Sequence, residues 1–258
     1  MLRVTFILLS LLTARLASAG ATTNDFCTTG VAEFTAAYSS WDATRFGAAA
    51  EWFRRATTNA PANSTNHYWL GVAHFHRMLQ MESSTGSATN KAAIDSARDA
   101  ALAAFEIAVQ QNPADAESHA LLGTLFGMKI DGNLIRAARF GPRVNKHREL
   151  ALRHDTSNPR VHYLLGTCQF HTAKKAADWR DALKTFQAAE KLFEKEASLP
   201  ASPTKPRWGH STCLSFIART FEKLGHGKEA ATYFRQALAR HPLDSVAEAG
   251  LKRTAQAK

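Results

Sequence analysis

The chain has 258 residues, of which 45% are hydrophobic and 21% charged, so a disordered chain is excluded and a packed core is expected. The formal net charge of +10 suits an acidic partner, whether a protein, a phosphate-bearing lipid or another polyanion. The sequence contains no recognised nucleic-acid-binding module, so nucleic acid is not expected as a partner.

The N-terminal residues 1–19 are predicted to be a cleaved signal peptide. A short basic start that contains Arg3 precedes an apolar run from Val4 to Leu12, and small residues at Ala17 and Ala19 provide a cleavage site after Ala19. The apolar run is far shorter than the roughly twenty residues that span a bilayer, which argues against a membrane anchor. We therefore expect a periplasmic or secreted protein, with one mature domain over residues 20–258 and no transmembrane segment in it.

A spacing of Ala, Phe four residues later and Ala three residues after that recurs in four segments of the chain. It places the three side chains on one face of a helix, where the alanines allow close approach and the Phe fills the gap. A proline that ends the helix follows three of the segments. The segments are Ala49-Phe53-Ala56, Ala101-Phe105-Ala108, Ala182-Phe186-Ala189 and Ala230-Phe234-Ala237, and the prolines are Pro61, Pro113 and Pro242.

A second pattern precedes or follows the Ala-Phe-Ala segments. It consists of Leu70-Gly71, Leu122-Gly123, Leu165-Gly166 and, in the last repeat, Ile217-Ala218. The 21 residues from Ala101 to Leu122 and the 13 from Ile217 to Ala230 together make a unit of 34. With the Leu-Gly and Ala-Phe-Ala spacings, this unit resembles the tetratricopeptide-repeat family. The resemblance covers roughly residues 24–256.

The resemblance implies an all-α fold: a right-handed α-solenoid of about five helix-turn-helix pairs with insertions and a C-terminal capping helix from Val246 to Gln256. One insertion is a polar loop over residues 81–87, and a second is predicted to contain a short extra helix from Leu134 to Phe140. The third is a helix that runs through Glu196, followed by a loop that contains three prolines. In the middle repeat, Val144 and Arg148 stand where Ala and Phe are expected.

In this family the first helices of successive pairs line a concave groove that holds extended peptides or partner helices. The subfamily that clamps carboxylates has Lys and Asn where this chain has Tyr68 and Val72, so we predict an aromatic, mostly apolar groove for an amphipathic helix or apolar peptide. The alternative is that these aromatic residues pack against the next pair or against the chain's own end. The predicted groove residues are Tyr68, Val72, Phe75, His76, Thr124, Tyr163, Thr167, Phe170, Arg219 and Glu222.

A basic segment lies between Lys129 and Arg160. It is predicted either to dock phosphates or an acidic partner, or to be a solvated helix face. Its predicted contact residues are Arg136, Arg139, Arg143, Lys146 and Arg148.

The sequence contains no catalytic constellation, so we predict no catalytic residues, no cofactor and no metal site. Neither HExxH nor Gly-x-Ser-x-Gly is present, and Asp and Glu are expected on exposed helix faces. The odd set of Cys27, Cys168 and Cys213 has no CxxC and leaves at least one thiol unpaired within the chain.

Two functions remain at this point: a protein-interaction scaffold of the cell envelope, or a ligand-binding accessory component of a transport system. An enclosed pocket at Tyr68 and Tyr163 favours the accessory component, and an open groove favours the scaffold. The sequence does not fix the oligomeric state.

Overall fold

The computed structural model describes residues 23–84 and 90–256, and within these ranges the chain forms eleven α-helices and no strand. The predicted signal peptide lies outside the described residues. The helices are α1 Thr23–Ser40, α2 Ala43–Asn59, α3 Ser64–Ser83, α4 Lys91–Gln111, α5 Ala116–Ile130, α6 Leu134–His154, α7 Pro159–Thr172, α8 Ala176–Ala197, α9 His210–Lys223, α10 Gly227–Arg240 and α11 Ser245–Gln256.

Consecutive helices pack as five pairs, from α1 with α2 to α9 with α10, and each pair stacks on the next. Helix α11 packs on α10 and α9 and covers the end of the stack. The predicted all-α solenoid of helix-turn-helix pairs is therefore confirmed, as is the capping helix, which begins one residue before Val246. None of the helices in the described part of the chain is long and apolar enough to cross a membrane.

The repeated Ala-Phe-Ala segments form the core, since every one of their residues is 0% exposed. For three of the four rings the partner is a glycine of the preceding helix, and for Phe234 it is Gly250 of the following helix. A methyl group on Gly71 would lie 2.6 Å from the ring of Phe105, and one on Gly166 would lie 2.6 Å from the ring of Phe186. The Leu-Gly pattern and the Phe pattern are thus two sides of one helix contact, in which only glycine leaves room for the ring.

The middle pair departs from this arrangement. Helix α6 places no Phe ring opposite Gly123 of α5, and a methyl group on Gly123 would lie 3.6 Å from the backbone oxygen of Val144. The predicted short helix that ends at Phe140 is wrong, because α6 continues through Pro142 to His154. Proline removes the donor for the carbonyl of Ala138, but both residues are exposed, so water can replace that hydrogen bond.

The first and last pairs of helices meet at one edge of the solenoid. The Tyr38 hydroxyl, at the end of α1, lies 3.3 Å from the hydroxyl of Thr212 on α9. A ring nitrogen of His241, in the turn after α10, lies 2.9 Å from the Tyr38 carbonyl oxygen. These contacts join parts of the chain that are far apart in sequence and bring three helix ends around one opening.

Candidate functional site

The centre of the concave face is occupied by the loop between α8 and α9, residues 198–209, which we call the crossing segment. Its Trp208 is 3% exposed, and the Trp208 ring centroid lies 4.9 Å from that of His76 and 6.5 Å from that of Tyr163. The indole N–H donates a hydrogen bond of 3.1 Å to the hydroxyl of Tyr68. Side chains that the sequence places along a groove are therefore covered here by the chain itself.

Backbone contacts hold the crossing segment in place. The indole N–H of Trp69 donates to the carbonyl of Thr204 at 2.9 Å, and the N–H of Gly209 donates to the Tyr38 hydroxyl at 3.2 Å. Within the segment, Arg207 donates to the carbonyl oxygens of Leu199 at 3.0 Å and Pro200 at 2.9 Å. The loop is thus attached to α1 and α3 as well as closed on itself.

A buried charge cluster lies beneath the crossing segment. The Arg160 side chain is 3% exposed; its Nε donates to Glu117 Oε2 at 2.8 Å and its two terminal nitrogens donate to the Glu196 carboxylate at 3.0 and 2.5 Å. Tyr68 donates a short hydrogen bond to the other oxygen of Glu117. Burial disfavours the guanidinium charge, but the two carboxylates outweigh it and raise the pKa of Arg160. The expectation that acidic residues lie on exposed faces is wrong for Glu117, which is 6% exposed.

The predicted groove residues divide into two groups. Those at most 8% exposed are Tyr68, Val72, Phe75, His76, Tyr163, Thr167 and Phe170. Thr124, Arg219 and Glu222 are only half-buried. Packing in the core accounts for the burial of the first group, so a binding role for those side chains stays a prediction. Arg219, in contrast, lies beside open space.

That open space is the end pocket, which lies at the edge where the first and last pairs meet. Its apolar walls include Leu243 and Val246, which are 56% and 42% exposed. The lining residues that matter below are Tyr38, Trp41, Phe216, Arg219, Leu243 and Val246.

Arg219 supplies the positive charge of the end pocket. Its guanidinium carbon lies 4.8 Å from the ring centroids of both Phe170 and Phe216, and it forms no ion pair or hydrogen bond with any residue of the described ranges. Two carboxylates lie nearby without bonding to Arg219: Glu222 pairs with Arg253 at 2.9 Å, and Asp244, which also lines the pocket, accepts a hydrogen bond from Ser215 at 2.6 Å. Burial, together with the charge of Arg253, lowers the pKa of Arg219, although a guanidinium stays protonated in proteins. The pocket therefore contains a cation, fixed on two rings, with free N–H donors.

Trp41 closes one side of the end pocket in a strained backbone conformation. Its φ of +50° lies in the left-handed region, which bulky residues avoid. Its indole N–H donates to the Ser83 hydroxyl at 3.2 Å, which ties the turn after α1 to the end of α3. Strained residues of this kind cluster at functional sites, where the surrounding structure holds them.

The predicted basic residues share one helix. Arg136, Arg139, Arg143, Lys146 and Arg148 are all exposed on α6. Arg143 approaches Glu106 at 3.5 Å and lies 4.3 Å from the ring centroid of Phe126, and Arg136 is 4.0 Å from Asp131. Both of these ion pairs are exposed and long, so they leave the positive charge of the surface largely available.

The histidines do not assemble a metal centre in the part of the chain that the structure describes. There, no group of three or more His, Cys, Asp or Glu side chains is placed to hold a metal ion. His119 and His147 do meet, with their Nδ1 atoms 2.9 Å apart between α5 and α6. Burial lowers the pKa of His147 to about 4, so the pair is neutral near pH 7.

Sequence reasoning missed Trp208, Arg160 and Glu117, which together close the concave face. For Trp208 a signal was available: a lone aromatic residue in a loop of Pro, Ser, Thr and Lys is more often anchored than free. Arg160 and Glu117 offered none, since their contact joins helices 43 residues apart in sequence.

Comparison with known proteins supports the repeat and the fold. A family model described as tetratricopeptide repeat matches residues 34–78, from the end of α1 to α3. TTC0263, a thermophilic TPR protein of Thermus thermophilus, is similar in structure with a TM-score of 0.64 at 15% identity, over 91% of this chain and 100% of that one. Cut9–Hcn1, an APC/C hetero-tetramer, is similar with a TM-score of 0.60 at 15% identity, over 90% of this chain but 36% of that one. No curated protein sequence matches the chain. At these identities the likeness establishes a tetratricopeptide-repeat-like solenoid, an architecture that presents extended binding surfaces.

Proposed function

We propose that this chain is a non-catalytic interaction module of the cell envelope that binds a protein or peptide partner in the end pocket, where Arg219 receives a carboxylate of the partner. The proposal rests on one observation: Arg219 lies on two phenyl rings at the wall of an open pocket without a described carboxylate bound to it. A half-buried cation in this state gains a strong, charge-assisted hydrogen bond from an incoming anion.

The walls of the pocket define the rest of the ligand. Leu243, Val246 and the ring of Trp41 offer apolar surface next to the cation. A peptide that ends in an apolar residue presents this combination, because its last side chain and its terminal carboxylate lie a few ångströms apart. The two rings fix the orientation of the Arg219 guanidinium, so little conformational entropy is lost when the carboxylate binds.

A peptide-binding experiment tests the proposal. Synthetic peptides with varied apolar last residues are prepared with free and with amidated C-termini, and binding is measured by fluorescence anisotropy. We expect binding of free-acid peptides that falls about tenfold or more on amidation, by roughly the 1.5–3 kcal/mol of a charged hydrogen bond. The same loss is expected for Arg219→Gln.

Arg235→Gln is the matched control, because Arg235 is exposed on α10 and away from the end pocket. It should bind as the wild type does. Equal affinity for free and amidated peptides, or for wild type and Arg219→Gln, would contradict the proposed role of Arg219.

The envelope location is part of the proposal and has its own measurement. It is supported by the basic start, the apolar run from Val4 to Leu12 and the small residues before Gly20. When the full coding sequence is expressed in a bacterium, the intact mass of the exported protein should correspond to a chain that begins at Gly20. A protein that keeps Met1 to Ala19 and stays in the cytoplasm would refute it.

A ligand-binding accessory component of a transport system is the second candidate. The apolar walls beside one cation support it, since small-molecule sites are mostly apolar with a few placed polar groups. The site differs from the one expected, because Trp208 fills the space between Tyr68 and Tyr163. A thermal-shift screen of small organic acids distinguishes the interaction module from the accessory component. The accessory component is favoured if an acid stabilises the wild type but not Arg219→Gln, and if no peptide binds.

A further inference from the structure

A second surface, on α6, combines apolar and basic side chains at high exposure. Leu134 and Ile135, in the first turn of the helix, are 85% and 81% exposed, the highest values for large hydrophobic residues in the described ranges. They follow directly on the turn at Asp131 and Gly132, so they stand at the projecting end of the α5–α6 pair. Adjacent aliphatic side chains at this exposure have no role in the core.

The basic residues of α6 continue the same outward face. At 3.6 residues per turn, Ile135, Arg139, Lys146 and Arg153 lie within about 40° of one another around the helix axis. All four are exposed, and Ala151 on the opposite side is the residue of α6 buried in the core. The stripe from Ile135 to Arg153 is about 27 Å long.

The charge of this face is nearly all of one sign. Between Leu134 and His154, Glu149 is the single acidic residue, against six arginines and lysines. Arg139, Lys146 and Arg153 form no ion pair with any residue that the structure describes. A second copy of the same face would be repelled, so a negatively charged surface is the complementary partner.

We infer that α6 docks on a bilayer that contains anionic lipid, with Leu134 and Ile135 entering the interface and Arg139, Lys146 and Arg153 binding headgroup phosphates. Basic residues beside an apolar group are the combination by which a helix lies on an anionic membrane surface. The long side chains of Arg139 and Lys146 can reach phosphates while their methylenes rest on the apolar layer. A bilayer, rather than an acidic protein, is favoured because the two aliphatic residues are almost fully exposed in the first turn of the helix, where a fluid apolar layer can surround both of them. This contact is separate from the end pocket and does not depend on the function proposed for it.

A vesicle flotation experiment tests the inference. Protein expressed from the full coding sequence, with the same N-terminus in every variant, is floated with vesicles of equimolar phosphatidylglycerol and phosphatidylcholine, and with phosphatidylcholine alone. We expect binding to the anionic vesicles only, weakened by salt. The double variant Arg139→Gln, Lys146→Gln should bind roughly 25-fold more weakly, at about fivefold per basic residue.

Two further variants identify the source of the binding. Leu134→Ser with Ile135→Ser keeps the charge and should weaken vesicle binding about tenfold or more, by loss of apolar burial. Lys228→Gln with Arg235→Gln removes two exposed charges from α10 and should bind as the wild type does. All four replaced side chains of the two α6 variants are exposed, so circular dichroism should show unchanged helicity.

The outcomes separate a membrane from a soluble polyanion. If the charge variant loses vesicle binding but the Ser variant keeps it, and a soluble acidic polypeptide competes with the vesicles, the surface recognises charge alone and the inference fails. It also fails if the wild type ignores anionic vesicles, or if the α10 variant loses as much binding as the α6 charge variant.

An inserted probe gives an independent measurement. Ile135→Cys places a thiol at an exposed position, whereas burial raises the pKa of Cys27, Cys168 and Cys213 and slows their labelling. A polarity-sensitive dye on Cys at this position should shift to shorter wavelength and gain intensity on anionic vesicles. A dye that keeps its aqueous spectrum while the protein floats would overturn the insertion of this turn.

Discussion

Arg160 and Arg219 both face the interior of the solenoid, in opposite states. Arg160 is bound by two carboxylates, Glu117 and Glu196, and lies under the crossing segment. Arg219 is held over two aromatic rings and leaves its donors toward an open cavity. At the centre of the concave face the buried arginine is paired with carboxylates, whereas at the edge Arg219 has no carboxylate partner among the described residues.

The difference shows that the chain covers the centre of the concave face with its own loop and leaves a pocket open at the edge. The loop inserted between α8 and α9 supplies Trp208, which packs against His76 and bonds to Tyr68, and so stabilises the stack. The cavity that remains lies beyond the reach of this loop, between the ends of α1 and α9. Under the proposed function, the centre of the face stabilises the fold and its edge binds the partner.

The largest expected effect is on stability, at the buried arginine. Arg160→Gln leaves the buried carboxylate of Glu117 without its cation, so we expect a loss of about 3–5 kcal/mol in the free energy of unfolding. Arg219→Gln should cost no more than about 1 kcal/mol, the cation–π contribution. Urea unfolding followed by circular dichroism measures both. Equal losses of unfolding free energy for the two variants would contradict the conclusion that Arg160 is a structural charge and Arg219 is not.

Trp208 provides the next test of the closed centre. Trp208→Ala should lower the free energy of unfolding by about 3 kcal/mol, because a buried indole is lost and the space can refill only in part. The variant should also bind an apolar dye such as ANS, since His76, Tyr68 and Tyr163 become accessible. Trp52→Ala, at a half-buried ring on α2, is the control and should show a smaller loss without dye binding. A Trp208 variant that binds no dye would mean that other side chains close the centre.

The repeat could be predicted from sequence because its signals are local. Ala, Phe and Ala at helical spacing mark a face, and a glycine in the partner helix marks the place where the ring packs; the structure couples the two at Gly71 and Phe105. Local signals also explain the wrong helix end at Phe140. Pro142 by itself indicates a helix boundary, but it lies at an exposed position where water can replace the missing hydrogen bond, so the helix continues.

The site was less accessible to sequence reasoning because its contacts are distant. Trp208 and Tyr68 are 140 residues apart, and nothing in either segment indicates the other. The repeat register predicted Tyr68, His76 and Arg219 as groove residues. It did not reveal which inner residues the chain itself would cover.

Acid should affect the closed centre through His76. Burial lowers the pKa of this histidine from its ordinary value of 6.5 to about 4, so the folded state favours the neutral ring. Its stabilising contribution is complete above pH 6.5 and is lost as the pH falls through about 4, at about 1.4 kcal/mol per pH unit. For His76→Phe we expect a shallower fall in stability between these pH values, by roughly 2–3 kcal/mol in total. Unfolding free energies measured across this range check it, with His226→Asn, an exposed position, as the control. An unchanged slope in His76→Phe would show that the ring already charges freely in the folded protein.

The smallest expected effect on stability is at the wall of the end pocket. Leu243 is 56% exposed, so Leu243→Ser removes little buried apolar area and should change the free energy of unfolding by less than about 0.5 kcal/mol. If the pocket binds a partner, the same change should weaken free-acid peptides several-fold, by loss of apolar contact. Leu199→Ser, at a similarly exposed residue of the crossing segment, should alter neither quantity. A wall that affects binding but not folding is expected of a recognition surface, because core residues are kept by packing. If Leu243→Ser lowered the free energy of unfolding as much as Trp208→Ala does, Leu243 would be a packing residue of the fold and not part of a recognition surface.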